Sequence, residues 1–598
     1  MNNTIIDQIK SNPELFTFET LPQAQEWLTT LPQGNSDESS KKLLIFFKQF
    51  NQQNTEIIFH YQLLNLLAPT INNVLDTLKT PYHFDAFPLS ANSQIAFNIK
   101  QDLLRQVCIS YKQLINQLNP LLSSHEKAVK LLCVAIYHAL HYSSLLLLEK
   151  YLTYTKPEKN FWKEIHQVFQ LAKKHDQHQV SLIAINDSDK KTHISSCYKR
   201  ILILACMDPF HLMQTEIEKT FIHLEHWSWY AKFVEAEAFA AKGGLLINPS
   251  LDIPATRVDR NTSGLDSSTD LLYLDISDIT KVTRIQIQKL ILSLETDDFL
   301  PNHTTFTERA ALSMYSRLNK VLIQAYKRSE ERIFSNDMLC SAIGLTTSHR
   351  LFSNDIEFTP EEDEIELKKG TLGGSLHLTL VPKEHTPWIE KSLEEDIKTG
   401  VVKPRESHFE EDIWKKKQSS ELPVQVENDQ LRKEILVYDT RIENLSEMGF
   451  GAYIKKETGI HAHIGELISF KKNTDISQDW NIGIIKWLIC QESNDLKLGV
   501  YQLQGSIKPI AVKAISGVGE GSEYFRALII ENETNQPDRT LITPNAVYDL
   551  NTILLVNLKD KLRYIRLTKL LASSSHYSQF AFESTSNPDL NRADNSWV

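Results

Sequence analysis

The hydrophobic period of the chain changes near its middle. Up to about residue 243, apolar residues recur at three- and four-residue spacing, as in Leu103, Val107, Tyr111, Leu114 and Leu118. That spacing places them on one helical face and predicts an all-α bundle. Helix starts are signposted by Ser123-x-x-Glu126, by Thr155-x-x-Glu158 and by the N-cap pair Asp208-Pro209. No fixed-period repeat runs through these helices, so an irregular bundle is expected rather than a solenoid. Leu131 to Leu148 is 18 residues without a formal charge, at the lower edge of spanning length. It carries His138, His141, Ser143 and Ser144, which are costly in lipid. Val129, Leu132, Cys133, Ile136 and Leu140 share one face, so the segment reads as a buried bundle helix and no membrane span is expected.

Residues 244 to about 275 bring Pro249, Pro254, Gly264 and a Ser/Thr/Asp cluster, the marks of a connecting loop region. Helical spacing resumes from Asp278 to Gln324. From Met338 the period drops to two. MLCSAIGLTTSHRLF contains a predicted strand, and EILVYDTRIENLS, FGAYIKK, ELISFKK, NIGIIKWLIC and LGVYQLQG predict a run of short strands closing into a small barrel. Between them, residues 353–430 are dense in charge, with EEDEIELKK and FEEDIWKKK, and read as an insertion holding one possible strand, SLHLTLVP. A further β-rich stretch follows to the end. The predicted fold class is multidomain α + β. Residues 1–243 form an all-α helical domain and 244–324 connecting loop and helices. Residues 325–352 plus 431–512 form a β-barrel interrupted by the 353–430 insertion, and 513–598 a second small β-rich domain.

Composition narrows the function. Sixty-four basic against 75 acidic residues give a net charge of −11, which argues against a nucleic-acid polymer as partner. The six cysteines form no C-x-x-C pair and read as reduced thiols of a cytoplasmic protein. The sequence MNNTIIDQIKSNPELF lacks the pattern of a secretory signal.

Two short motifs carry candidate chemistry. Arg328-Ser-Glu-Glu-Arg332 is R-x-x-x-R, and Asn444-Leu-Ser446-Glu-Met-Gly449 is N-x-S-x-x-G. Arginine forks pair with phosphate oxygens and guanine edges. A polar turn ending in glycine supplies donors and allows close backbone approach. In this order, followed by strands, the motifs resemble those of the PilZ domain family, bacterial receptors for cyclic di-GMP. The resemblance covers roughly 325–352 and 431–512. It implies a six-stranded β-barrel and a ligand, cyclic di-GMP, gripped by Arg328 and Arg332 from the segment before the barrel. Asn444 and Ser446 would hydrogen-bond a guanine or phosphate, and Gly449 would make room. No catalysis and no cofactor beyond this ligand are implied. Two departures stand out. Asn444 lies 112 residues after Arg332, farther than the family usually places it, and position 444 is Asn rather than Asp. The expected function is a cytoplasmic receptor whose helical region relays binding to a protein partner. The alternative is a helical scaffold whose barrel no longer binds nucleotide. The two differ in one spatial expectation, that the two motifs meet on one face.

Other clusters carry less. His223, Glu225 and His226 lack the H-E-x-x-H spacing and a third ligand. His461-Ala-His463 near Glu466 has no further partner in sequence, so no metal site is expected. Ser348-His349 has neither acid nor nucleophile elbow.

Overall fold

The computed structural model describes residues 18–586 apart from 33, 84, 123–125, 186, 260–269, 297–302, 325–330, 365–434, 474–478, 533–538 and 559–560. Its first part is helical, with long helices at Ser36–Phe50, Ile57–Leu78, Ala91–Leu118, Glu126–Leu152, Phe161–Lys174, Ile194–Cys206 and Gln214–Trp227. The predicted stripe Leu103, Val107, Tyr111, Leu114 and Leu118 is fully buried in the core. Glu126–Leu152 is long and apolar enough to cross a membrane by length and composition, yet 78% of its apolar stretch is packed inside the bundle. A helix apolar on nearly every side suits a bundle centre. Burial alone pulls His138 down to about 4 and, as the largest cause, His141 to about 3, so both sit neutral in the core.

Local start signals were less faithful than the periodicity. The helix expected after Thr155-x-x-Glu158 begins at Phe161, and its free amides are capped from far away. Asp252 accepts from the backbone N–H of Asn160, Trp162 and Lys163. Those backbone bonds hold its carboxyl below the usual range against a larger opposing effect of burial. Asp208-Pro209 opens only the short turn Pro209–His211. The stretch 244–275 is not simply a loop region. Lys232–Val234, Leu272–Asp275, Gly244–Ile247 and Thr256–Val258 form a four-stranded sheet in that order. Strands this short leave little room for alternation, and Leu272–Asp275 is buried at every position, so no period marks it. Two helices, Ser277–Thr296 and His303–Ile323, then lean on the bundle through Tyr315 with His223 and Arg317 with Glu216. The second of them also reaches the C-terminal β-rich stretch through Arg309 with Asp549.

The first barrel closes from Gly449–Ile454 through Leu496–Leu503, Asn481–Cys490, Leu467–Lys472, Met338–Ile343 and Tyr438–Ser446 back to Gly449–Ile454. All five predicted strand segments after the insertion are strands. The second β-rich stretch is a second closed six-stranded barrel. It starts at Ser506, inside the segment assigned above to the first barrel, and its core includes Val512, Leu541, Leu554 and Phe580. The region read as insertion also begins later than 353. Pro360 O accepts from Asn557, and Glu364 accepts from Lys513 and Tyr524, so the chain up to residue 364 is docked on the second barrel. SLHLTLVP lies outside the described residues. The barrels pack through outward side chains, Leu467, Ile482 and Ile484 against Leu528, Ile530 and Ile542.

Candidate functional site

The site begins at a hairpin. Ser446 pairs with Gly449, and its Oγ donates to Gly449 O at 3.2 Å, closing the N-x-S-x-x-G turn on itself. A Cβ on Gly449 would lie 2.0 Å from Val500 O, so the glycine lets two strand backbones approach. This bears on the expected steric role, although the neighbour is the barrel's own strand.

Arg332 lies directly before the two-residue strand Ile333–Phe334, which adds to the barrel along Tyr438–Ser446. Ile333 faces Leu445 and Phe334 faces Asn444. The second arginine of R-x-x-x-R thus enters the sheet beside N-x-S-x-x-G despite the long separation in sequence. Loop closure costs grow only slowly with length, so an insertion does not forbid this meeting. Arg332 is exposed. Arg328 lies outside the described residues.

Cross-strand partners share a face, so the registers define an outward row: Phe334, Asn444, Gly451, Gly499, Trp487. The alternate residues Phe450, Ala452, Leu498 and Val500 point into the core. Along the row, the Asn444 side chain lies over Gly451, where a Cβ would stand 2.8 Å from Nδ2, and the Trp487 indole lies across Gly499. The row is a low, glycine-floored strip with an aromatic residue at each end. Phe334 is 93% exposed and Ile333 72%, unusual for apolar side chains at a sheet edge.

A charged margin runs alongside. The Arg441 guanidinium sits 4.8 Å from the Tyr453 ring centroid and Lys497 Nζ 5.9 Å from it, while Lys497 also binds Glu443 at 2.8 Å. Tyr453 donates to Asp495, which raises the phenol's pKa. Bonds from Ser493, Tyr453 and the Lys456 amide lower that of the Asp495 carboxyl. On the opposite margin Trp487 meets the helical region, with the His211 ring 6.5 Å from its own. The strip can therefore offer stacking edges, a guanidinium fork and half-buried amide and hydroxyl groups to a flat, anionic ligand.

The structure brings Arg332, Asn444, Ser446 and Gly449, which the sequence singled out, to one hairpin, and sets beside them Phe334, Gly451, Gly499 and Trp487, which it did not single out. Gly451 and Gly499 were legible in principle, because glycine inside a strand marks a close approach. Phe334 had no signal, since a two-residue strand has no period. The clusters set aside are packed. His223 stacks on Trp227, Ser348 Oγ donates to Gly344 O, and His349 bonds Ile510 O.

Three family models match the chain in succession. These are the N-terminal domain of the cyclic-di-GMP receptor FimW over residues 22–237, its middle PilZ domain over 245–509, and the FimW C-terminal β-barrel domain over 510–585. The middle match takes in the helix pair and three of the four strands of the small sheet, while Lys232–Val234 falls within the N-terminal match. The cyclic-di-GMP receptor FimW of Pseudomonas aeruginosa is 22% identical over 570 residues, 93% of this chain and 89% of that relative. No solved structure matches the chain.

Proposed function

We propose that this chain, which belongs to the PilZ domain family, is a cytoplasmic receptor for cyclic di-GMP and not an enzyme. The observation that carries the reading is the pairing of Ile333–Phe334 with Leu445 and Asn444, which delivers Arg332 to the N-x-S-x-x-G hairpin. Arg332 and Arg328 clamp phosphate and guanine edges, since a guanidinium fork matches both bidentately. Asn444 and Ser446 hydrogen-bond the base or phosphate that lies along the strip, with Gly451 making room for the Asn444 side chain and Gly449 for the close approach of the Val500 backbone. Phe334 supplies a face on which a purine stacks.

What borders the strip supports a relay to a protein partner. Trp487 is shared between the glycine floor and His211 of the helical region. One loop of the same barrel exchanges two backbone hydrogen bonds with that region, between Phe87 and Ala462, at 2.9 and 2.8 Å. Ligand bridging the two arginines and this face biases the barrel against the helices, and the helical region presents the result to a protein partner.

Calorimetry of the full chain with cyclic di-GMP tests the receptor reading. Saturable binding at one site is expected. Absence of heat and of any thermal stabilisation at high micromolar ligand would leave the scaffold reading.

A further inference from the structure

We infer that the chain carries a divalent metal site of the zinc class, built by His463, Glu466 and His576, that clamps the two β-barrels together. One ligand atom from each residue, two imidazole nitrogens and a carboxylate oxygen, lies within 4.8 Å of the others. Tetrahedral coordination at about 2.0–2.1 Å needs such atoms roughly 3.3 Å apart. His463 Nδ1 and Glu466 Oε2 are already 3.2 Å apart. Only His576 has to close in, a shift a side-chain rotation can supply.

The ligands come from two places far apart in sequence. His463 and Glu466 sit in the loop between strands Gly449–Ile454 and Leu467–Lys472 of the first barrel. His576 sits in the hairpin between Leu562–Ser573 and Ser578–Thr585 of the second. The two rings face each other with centroids 4.6 Å apart. None of the three is an exposed surface group: each is partly buried.

The surroundings hold these groups in place. Glu466 Oε2 accepts from the His463 amide at 2.9 Å, which fixes the carboxylate. Ser574 Oγ donates to Gly465 O at 2.7 Å and accepts from the His576 amide at 3.1 Å. The two ligand-bearing loops are thus tied together within two residues of the ligands, as supporting bonds around a metal commonly do. The same first-barrel loop reaches the helical region through Ala462 and Phe87. A cation here would fix three parts of the chain at their common junction.

The donor set selects the ion class. Two imidazoles and one carboxylate suit zinc and neighbouring transition ions rather than magnesium or calcium, which take oxygen ligands. Three protein ligands leave a coordination position for water.

The test uses the full chain, stripped with chelator and titrated with zinc sulfate. Bound metal is measured after gel filtration, and thermal unfolding is followed with and without the ion. One zinc per chain is expected, with a higher unfolding midpoint reversed by chelator. His576→Ala and His463→Ala should each weaken binding at least tenfold and abolish the zinc-dependent shift. His461→Ala, on the same loop but exposed and outside the cluster, should change neither. Cobalt substituted for zinc should give visible absorption that His576→Ala removes while circular dichroism stays unchanged. Stoichiometric zinc retained by the His463→Ala/His576→Ala double variant, or no zinc bound by the parent chain, would overturn the assignment.

Discussion

The chain contains two closed six-stranded barrels that both use glycine in turns but differ in whether their strands contain it. In the first, Gly449, Gly451, Gly483 and Gly499 lie within strands. Gly451 and Gly499 remove side chains from one outward row, and Asn444 and Trp487 lie over the space. In the second, no strand contains glycine. Gly505, Gly517, Gly519 and Gly521 occupy turns at positive φ, where they bend the chain. On the reading proposed above, the same architecture is therefore a receptor surface in one case and a packing partner in the other. Barrel closure does not make a site; the residues on its outer face do.

This contrast can be broken most forcefully at the arginines. Replacing Arg328 and Arg332 together by Ala should lower affinity for cyclic di-GMP by roughly a hundredfold or more, since each charge-assisted contact contributes about 1.5–3 kcal/mol. Replacing Arg566 on the second barrel should leave affinity unchanged. Equal losses in both would erase the distinction between the barrels. The glycines come next. Gly451→Ala puts a methyl against Asn444 and should weaken binding about tenfold, near the low end of the roughly 1–3 kcal/mol for overpacking. Gly517→Ala, at φ 98°, should instead cost about 1–2 kcal/mol of stability and spare binding. Calorimetry and thermal melts on the same two proteins separate these outcomes.

Phe334→Ala should reduce affinity by about three- to tenfold, as expected when a stacking face worth roughly 0.5–1.5 kcal/mol is removed. Unaltered affinity would move the purine away from this end of the strip. The smallest effect is expected at Asn444→Asp. A carboxylate accepts more strongly from guanine N–H groups than an amide does, so affinity should rise by a few-fold. A decrease would mean that the Asn444 amide donates to the ligand.

How much of this was legible beforehand depended on the range of the signal. Long-period features survived. The stripe from Leu103 to Leu118 and the alternation from Tyr438 to Leu503 identified the bundle and the first barrel because many residues repeat one instruction. Short or remote features did not. Leu272–Asp275 is a strand buried on both faces with no period, and the helix at Phe161 is capped by Asp252, far along the chain. Ser506–Ser516 continues the alternation of the preceding barrel, so the boundary between barrels was set too late. At the site, N-x-S-x-x-G was visible as a motif and its partner strand Ile333–Phe334 was not. Their juxtaposition is set by sheet pairing, which no local pattern encodes. The His463 and Glu466 cluster likewise needed His576, which sequence spacing alone could not supply.

Hydrogen exchange of the full chain, measured with and without cyclic di-GMP, tests the central claim most directly. Protection is expected at residues 331–334, 441–453 and 497–501, which form the glycine-floored face of the first barrel, with 506–585 unchanged outside its junction loops. Protection confined to the second barrel, or absent from the Asn444 hairpin while ligand is bound, would contradict the account.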